Sequence, residues 1–594
     1  MLKIFQRHES VCLIAIAWLA YSAWTIMIAL HGNLVLITDD AMRLTEVRDF
    51  LNGQSWYDTT QWRMNTPFGL TMHWSRLIDA GIAAAYLLFR TVMNPAAAES
   101  VTLYVWPMLP FLVMLAGLYR IALRFGGQLA ALLVLVLALS CVALWSDFAP
   151  GSLDHDNVLL ALAVWMLAFL IDSANLPRNA AYAALAAAAS LTIAIESLPY
   201  VLTAAAAVAV LWIGDPQRWR QPARYFGLAF AAACALFLVF AVAWQYRVAP
   251  ACDTYSSIYA ALAVVGGVGL ASVTLLRTPA FYQRALAGAA LLAILIGVAS
   301  LVDVNCLRGP YAEMDPRLSP IWLSRIIEAQ PAFVFVHIAT SEFVFSYVYA
   351  LAGLIASIIL LFLANKDDRA AAGVICAFAA VSIAVATLQF RGVTFAVALT
   401  LPSIAWLVGL VFRSSKLKGI AAPLAGVLAL ALSTGTAFAI VGGTLIEPRS
   451  HMTARLGVFE SQIDCGSPKA MLLLSNLPRG RVASFVDQGP GVLAYTADSA
   501  IAGPYHRDAS GILDTYTLFT GTPRSAQAIL RGRGIDYVMI CRASDDWKFY
   551  LKKSVPDSLI RKLAAGAPPA WLHPAGKDQT GNVEIYAVDK SKLN

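Results

Sequence analysis

The chain has 594 residues, of which 59% are hydrophobic and 13% charged, with a formal net charge of +7. Soluble domains carry roughly 45–50% apolar and about 25% charged residues. A water-soluble globule has no means of hiding the excess, so a disordered chain, a nucleic-acid binder and an ordinary cytosolic enzyme are all disfavoured. A polytopic membrane protein remains, and its positive charge then reports loop topology more than an acidic partner.

The first apolar stretch, 11–30, follows Lys3 and Arg7. No small-x-small site comes after it, so it reads as a retained span rather than a cleaved signal peptide. A polar segment, 31–78, is next. The apolar stretch 79–93 is too short to cross a bilayer comfortably and reads as interfacial or re-entrant. Further spans are expected to begin near 103, 127, 158, 180, 201, 225, 256, 285, 345, 371, 393 and 420, about thirteen crossings in all. Arg120/Arg124, Arg178, Arg218/Arg220/Arg224, Arg277/Arg284, Lys366/Arg369 and Arg413/Lys416/Lys418 mark one set of loops as cytoplasmic, together with the N-terminus. The expected external loops are 31–78, 147–157 and 302–344, and an odd number of crossings places the C-terminus outside.

At 446 the composition turns polar. VASFVD (482–487) and IDYVMIC (535–541) read as short buried strands, and SAQAILRGRG (525–534) as a helix before the second. The expected organisation is a polytopic helical membrane domain, 1–445, followed by a small periplasmic or extracellular α/β domain, 446–594. Eight cysteines with no CxxC argue against zinc or redox chemistry. Cys252 with Cys306, and Cys465 with Cys541, fall in external segments where disulfides are permitted.

The external loops hold a set of carboxylates near span ends. Asp39 and Asp40 follow the first span, Asp154 and Asp156 lie in GSLDHDN, and Glu328 lies in RIIEAQP. Two carboxylates at Asp-x-Asp spacing converge on one cation, and carboxylate oxygens are what Mg²⁺ and Mn²⁺ prefer. Glu46, Asp49, Asp58 and Asp303 read as ordinary water-facing acids. Glu196 sits at a span end among apolar residues, where an ionisable group is either functional or reaches water at the interface. Arg391, between two spans in a short apolar turn, suits a lipid phosphate or a bulk headgroup. His73, beside Trp74 in PFGLTMHWSRL (67–77), is a base, a donor or a structural residue. In the C-terminal region Asp487 ends an expected strand, and His506 and Arg507 follow another. All three are candidates for binding an acceptor.

Together these residues resemble the catalytic subunit of oligosaccharyltransferase, including its bacterial single-subunit form. The resemblance implies the GT-C fold, with thirteen spans and an external C-terminal domain. It places a catalytic Asp soon after span one at Asp40, Gly-x-x-Asp-x-(Asp/Glu) at Asp154 and Asp156, the Glu-x-Gln-Pro glutamate at Glu328 and the donor-phosphate arginine at Arg391. The family's WWDYG acceptor motif is missing, and FVDQG (485–489) stands where it is expected. What this implies is an inverting glycosyltransferase of the inner (plasma) membrane. A polyprenyl-(di)phosphate-linked sugar would be the donor. Mn²⁺ or Mg²⁺ would be held by Asp40, Asp154, Asp156 and Glu328. The acceptor would be external: an envelope glycan, a lipid or a protein. The alternatives are protein N-glycosylation and, in a different class, a transporter or flippase of lipid-linked sugars. Transporters gather charge at mid-membrane and show repeats, whereas these charges collect on one face and no repeat is visible.

Overall fold

The structure, a computed structural model, describes residues 2–31, 34–36, 38–276, 280–414, 419–446 and 465–593. Arg277, Lys416 and Lys418 lie outside the described residues, as do the side chains of Lys3 and Arg7. Apolar runs free of charge have no partner for their backbone groups in a bilayer except themselves, so they close into helices. Eight helical segments among the described residues are long and apolar enough to cross a membrane: Glu9–His31, Pro95–Leu139, Ile195–Gly214, Pro216–Phe240, Phe281–Arg308, Thr340–Leu363, Arg369–Leu388 and Phe390–Phe412. Ala421–Leu432 and Gly435–Thr444, bent by 63°, make a ninth if taken as one span. Shorter helices, Asp156–Asp172, Arg178–Ile193 and Ser257–Val273, stand at three further expected starts. The starts near 103 and 127 fall in one helical segment broken at Gly127, whose φ of 63° and ψ of −164° suit glycine alone. The chain is an integral membrane protein.

The segment expected at the interface is the helix Arg76–Arg90, capped by Ser75, which accepts a hydrogen bond from Leu77 N. Its 15 residues reach only about 22 Å, short of a hydrocarbon core of about 30 Å. Ile78, Ile82 and Ala83 are buried, while Leu87 and Leu88 face outward.

The C-terminal region is built on a five-stranded mixed sheet. Its strands are β3 Arg481–Ala483, β4 Ser499–Ala500, β5 Tyr537–Cys541, β6 Leu572–Lys577 and β7 Val583–Val588, in the order β4-β3-β5-β7-β6. The β3 pairings to β4 and β5 are parallel, and β7 runs antiparallel to β5 and β6. The strand expected over 482–487 is shorter than read: β3 stops at Ala483, and Val486–Gln488 forms a tight turn that runs into the helix Gly489–Tyr495. Pro490 at the first turn suits a helix start, which the apolar run of VASFVD hid. Asp487 therefore sits in a turn and not at a strand end.

The segment after the first span is interleaved with this region. Met42, Met64, Leu70, Met72 and Trp74 share one hydrophobic cluster with Met471, Val482, Met539 and Ile585. A hairpin of β1 Thr60–Gln61 and β2 Leu70–Thr71 projects Arg63, which donates to the carbonyls of Leu493, Thr496 and Asp498. Tyr495 Oη accepts from Leu36 N and donates to Leu36 O. Both expected cysteine pairs are bonded, Cys252–Cys306 and Cys465–Cys541, with Cα separations of 4.9 and 5.8 Å.

Candidate functional site

The loop carrying Asp154 is shaped by a glycine. Gly151 has a φ of +92°, and a Cβ there would come within 2.8 Å of Leu34. The turn delivers the amides of Leu153 and Asp154 to one acceptor, Asp40 Oδ1, at 2.7 and 3.1 Å. Asp40 is thus a loop anchor. Burial and the Asp154 charge push its carboxyl up to about 7, against the two amides that favour its anion. Its neighbour Asp39 lines the cavity beside Asp154 and Asp156. Burial, followed by the charges of Asp154, Glu328 and Asp40, raises Asp39 well above the usual carboxylate range.

His155, between the two aspartates, carries a role that sequence spacing hid. Its Nδ1 lies 2.6 Å from Asp154 Oδ1 and its Nε2 lies 3.7 Å from Glu196 Oε2. Burial works against the charge on Asp154, but His155 and Arg43 outweigh it and hold the carboxyl below its ordinary range. Asp154, His155 and Asp156 offer ligand atoms that all lie within 4.8 Å of one another.

Glu328 is brought in by the residues after it. Gln330 bonds the carbonyls of Ser324 and Ile326 through Nε2, and its own carbonyl accepts from Phe390 N at 2.9 Å. Phe335 stacks on Phe390 at 3.8 Å. The loop is thereby fastened to the turn holding Arg391, and Glu328 Oε2 comes within 3.9 Å of Arg391 Nη2. Its surroundings, with Asp154 and Glu196 nearby, raise the Glu328 carboxyl despite Arg391, although the side chain is 64% exposed. Glu196 is ion-paired to Arg391 through Nη1, so the span-end acid and the expected phosphate ligand are one unit.

Asp39, Asp154, His155, Asp156, Glu196, Glu328 and Arg391 face one cavity of about 610 Å³, whereas Asp40 does not. Leu198, Tyr200, Val385, Leu388 and Phe395 form an apolar wall continuous with the spans, and Asp39, Asp154, Asp156 and Glu328 contribute an acidic wall. Asp487 lines the cavity from the C-terminal region, beside Asp545 and Asp546. Its surroundings and the Asp546 charge push it up to about 7, against Arg325, which pairs with Asp546.

His506 lines the same cavity, and both it and Arg507 are engaged by Asp253. Asp253 accepts from Arg507 Nε and Nη2, both at 2.6 Å, and lies 2.6 Å from His506 Nε2. Arg507 Nη1 donates to Tyr246 Oη at 2.7 Å. Asp253 follows the bridged Cys252, so this is a clamp between the C-terminal region and a disulfide-tied loop. His73 packs on His506 with ring centroids 4.6 Å apart. Burial, then the His506 and Arg507 charges, lower His73 well below the ordinary histidine value.

Beneath the acidic wall lies a scaffold of charges. Arg43 Nη1 bonds Asp79 at 3.0 Å and Glu46 at 3.2 Å, Arg76 Nη1 bonds Asp79 at 2.8 Å, and the Arg43 guanidinium stacks on Trp74 at 4.2 Å. Glu46 is therefore not the water-facing acid its sequence context suggests: it is 1% exposed.

No family model matches the sequence, and no curated protein matches it. Solved structures do. The oligosaccharyltransferase of Archaeoglobus fulgidus in its apo form aligns with a TM-score of 0.69 at 13% identity, over 99% of this chain and 75% of that one. Oligosaccharyltransferase AglB of the same organism, in complex with an inhibitory peptide and a dolichol-phosphate, gives 0.65 at 13% identity over the same shares. The form tethered to an acceptor peptide containing the NVT sequon gives 0.66 at 14%, again over 99% and 75%. The chain has the GT-C fold in the form seen in archaeal oligosaccharyltransferase.

Proposed function

We propose that the protein is a membrane glycosyltransferase that moves a sugar or oligosaccharide, with inversion, from a polyprenyl-phosphate or -diphosphate carrier to an external acceptor. The observation that carries this reading is the single cavity with two unlike walls. The apolar wall of Leu198, Tyr200, Leu388 and Phe395 suits a prenyl chain, and the acidic wall suits a cation facing a phosphate. The dolichol-phosphate complex of the archaeal enzyme supports a lipid carrier.

The donor set fits a divalent cation. Asp154 and Asp156 present two carboxylates within reach of one ion, with Asp39 and Glu328 on the same cavity wall, while His155 between them is taken up by Asp154. Mn²⁺ and Mg²⁺ suit such ligands, and a cation there supplies positive charge against the leaving phosphate. A structure of the archaeal enzyme with Zn and sulfate supports a metal at this fold. The chain's own residues do the rest. His155 and Arg43 keep Asp154 ionised. Asp40 positions the loop, and the role expected of it in the cavity passes to Asp39. Arg391, oriented by Glu196, offers a guanidinium whose planar donors match phosphate oxygens.

The acceptor is something other than an Asn-x-Ser/Thr peptide. Where the family places tandem tryptophans, Phe485 is buried against Phe519 and Tyr550, and only Asp487 of the segment's polar groups lines the cavity. Protein N-glycosylation is the second reading, favoured by the likeness to the enzyme tethered to a sequon peptide. Purified protein given a radiolabelled lipid-linked sugar is expected to release the lipid phosphate and to leave a short sequon peptide unmodified. Efficient peptide glycosylation selects the second reading. Movement of intact lipid-linked sugar across vesicles, with no bond broken, selects a flippase.

A further inference from the structure

A third face of the cavity differs from both the apolar and the acidic wall. His73, Trp74, Asp253, Tyr311 and His506 line it. Its rings run on from the loop of Asp154 and Asp156. Ring centroids are 6.3 Å apart from His155 to Trp74, 5.9 Å from Trp74 to His73, 4.6 Å from His73 to His506 and 5.5 Å from His506 to Tyr311. This face therefore begins beside the acidic wall. The Cys252–Cys306 bridge brings its segments together: Asp253 follows one cysteine and Tyr311 comes shortly after the other. Thr254 Oγ1 then donates to the His73 carbonyl at 2.9 Å, which fastens the bridged loop to the segment after the first span.

Burial works against the charge of Asp253, but the bonds from Arg507 and His506 hold it ionised. An ionised carboxylate only accepts, so the His506 nitrogen 2.6 Å from it, Nε2, carries the hydrogen. Nδ1 is left over, an acceptor in the neutral ring and a donor in the charged one. Tyr311 supplies a second open group. Burial, opposed by Arg391 and aided by Glu196, Glu328 and Asp253, raises its phenol, so it stays a hydroxyl. Among the described residues neither His506 Nδ1 nor Tyr311 Oη has a hydrogen-bond partner, and both side chains keep part of their surface accessible. A phosphate would need a free cation here, and Arg507 is bound to Asp253. A prenyl chain would leave both polar groups unpaired. A sugar ring suits the face: its C–H groups pack on aromatic rings, and its hydroxyls, which donate and accept alike, match both groups in either state of His506.

We propose that this face is a carbohydrate subsite in which His506 Nδ1 and Tyr311 Oη bond hydroxyls of a sugar ring, with Asp253 and Arg507 as positioning residues that fix the His506 ring. The inference rests on the glycosyl-transfer reading and adds to it the groups that recognise the sugar. Two sources share this chemistry, the sugar on the polyprenyl donor and a sugar of a glycan acceptor, and the assay below separates them. His506 and Tyr311 hold the ring alike before and during transfer. They select which sugar enters, and no bond is made or broken on them.

The test uses the full-length protein in detergent. Polyprenyl-diphosphate-linked glucose, galactose, mannose and N-acetylglucosamine serve as donors, the corresponding methyl glycosides as acceptors, and labelled polyprenyl phosphate, which carries no sugar, as the control ligand. His506→Phe keeps a ring between His73 and Tyr311 and leaves Asp253 its two bonds from Arg507, so the clamp stands. With the best wild-type pair, His506→Phe and Tyr311→Phe are each expected to raise the KM of one sugar-bearing partner by roughly 10-fold, the scale of one lost hydrogen bond. The kcat is expected to change little and the Kd for polyprenyl phosphate not at all. A rise in donor KM assigns the ring to the donor; a rise in methyl glycoside KM assigns it to the acceptor. One monodeoxy analogue of that sugar is expected to be disfavoured by the wild type and no longer by His506→Phe. His506→Asn, which restores a polar atom close to the place of Nδ1, is expected to recover part of the loss. Unaltered KM for both partners in both variants overturns the inference while leaving the transferase reading intact, as does a parallel loss of polyprenyl-phosphate binding. A wild-type protein that breaks no donor bond overturns the transferase reading and this inference with it.

Discussion

Two sets of buried charge lie close together and have opposite characters. In the scaffold under Trp74, Arg43 and Arg76 face Glu46 and Asp79, two cations against two anions, each held by hydrogen bonds of ordinary length. On the cavity wall, Asp39, Asp154, Asp156, Glu196 and Glu328 face Arg391 and His155, an excess of negative charge. Balanced charge holds a helix in place and asks for nothing more. Unbalanced charge at a cavity wall calls for something to complete it, and the completion we propose is a divalent cation with a phosphate.

The largest expected effect is on the unbalanced set. Asp154→Asn and Glu328→Gln are each expected to reduce donor turnover by about 100-fold or more, with membrane expression and thermal unfolding close to wild type. Excess chelator is expected to reproduce the loss, and added Mn²⁺ or Mg²⁺ to reverse it. Full turnover in chelator would erase the distinction between the two sets. The balanced set is expected to answer in stability instead. Asp79→Asn leaves two buried guanidinium groups short of a partner, a change costing roughly 3–5 kcal/mol. It should appear as a lowered unfolding temperature in detergent, with far less effect on turnover per folded molecule than Asp154→Asn.

The third prediction is a pH response of the cation-free protein. Asp40 is held near pH 7 in the folded chain against about 4 when unfolded. Between those values the folded state binds the extra proton, so stability is greatest at the acid end and falls as pH rises from about 4 to 7. Chelated protein should therefore unfold at a higher temperature at pH 5 than at pH 7.5, and a saturating cation should shrink the gap. An equal gap with and without cation would count against a cation near Asp40. The smallest effect is expected at the clamp. Replacing Cys252 and Cys306 with serine frees the loop bearing Asp253, and this should raise the KM for an acceptor a few-fold with kcat little changed. A drop in kcat alone would place the clamp in the chemistry rather than in the fit between regions.

The spans were legible because a charge-free apolar run has one low-energy conformation in a bilayer, and the carboxylate loops were legible because those runs bracket them. What escaped were choices that depend on contacts distant in sequence. Asp39 and Asp40 are adjacent on a helix and about 100° apart around it, so nothing short of the fold says that Asp40 meets the Leu153 and Asp154 amides while Asp39 meets the cavity. Glu46 looked solvated because its burial is set from some 30 residues away: Arg76 donates to its backbone carbonyl, and Asp79 shares its partner Arg43. His155 was passed over as the spacer of an Asp-x-Asp pair, yet it neutralises one member of that pair. In VASFVD the buried apolar character was real, but Gly489 and Pro490 start a helix that ends the strand early.

The bonds between Tyr495 and Leu36 join residues 459 apart in the sequence, and this has a consequence for how the molecule is made. Residues 34–74 leave the ribosome long before β3, β5 and β7 exist. Met42, Met64, Met72 and Trp74, which end up beside Met471, Val482 and Met539, must wait exposed while the intervening helices are inserted. Ordering a contact across so long a separation is slow, and apolar surface left open meanwhile invites association with other chains. The first loop and the last region are thus a single assembly closed by the final quarter of translation. A chain truncated before β7 should arrive in the membrane with its helices in place and its catalytic loops unformed.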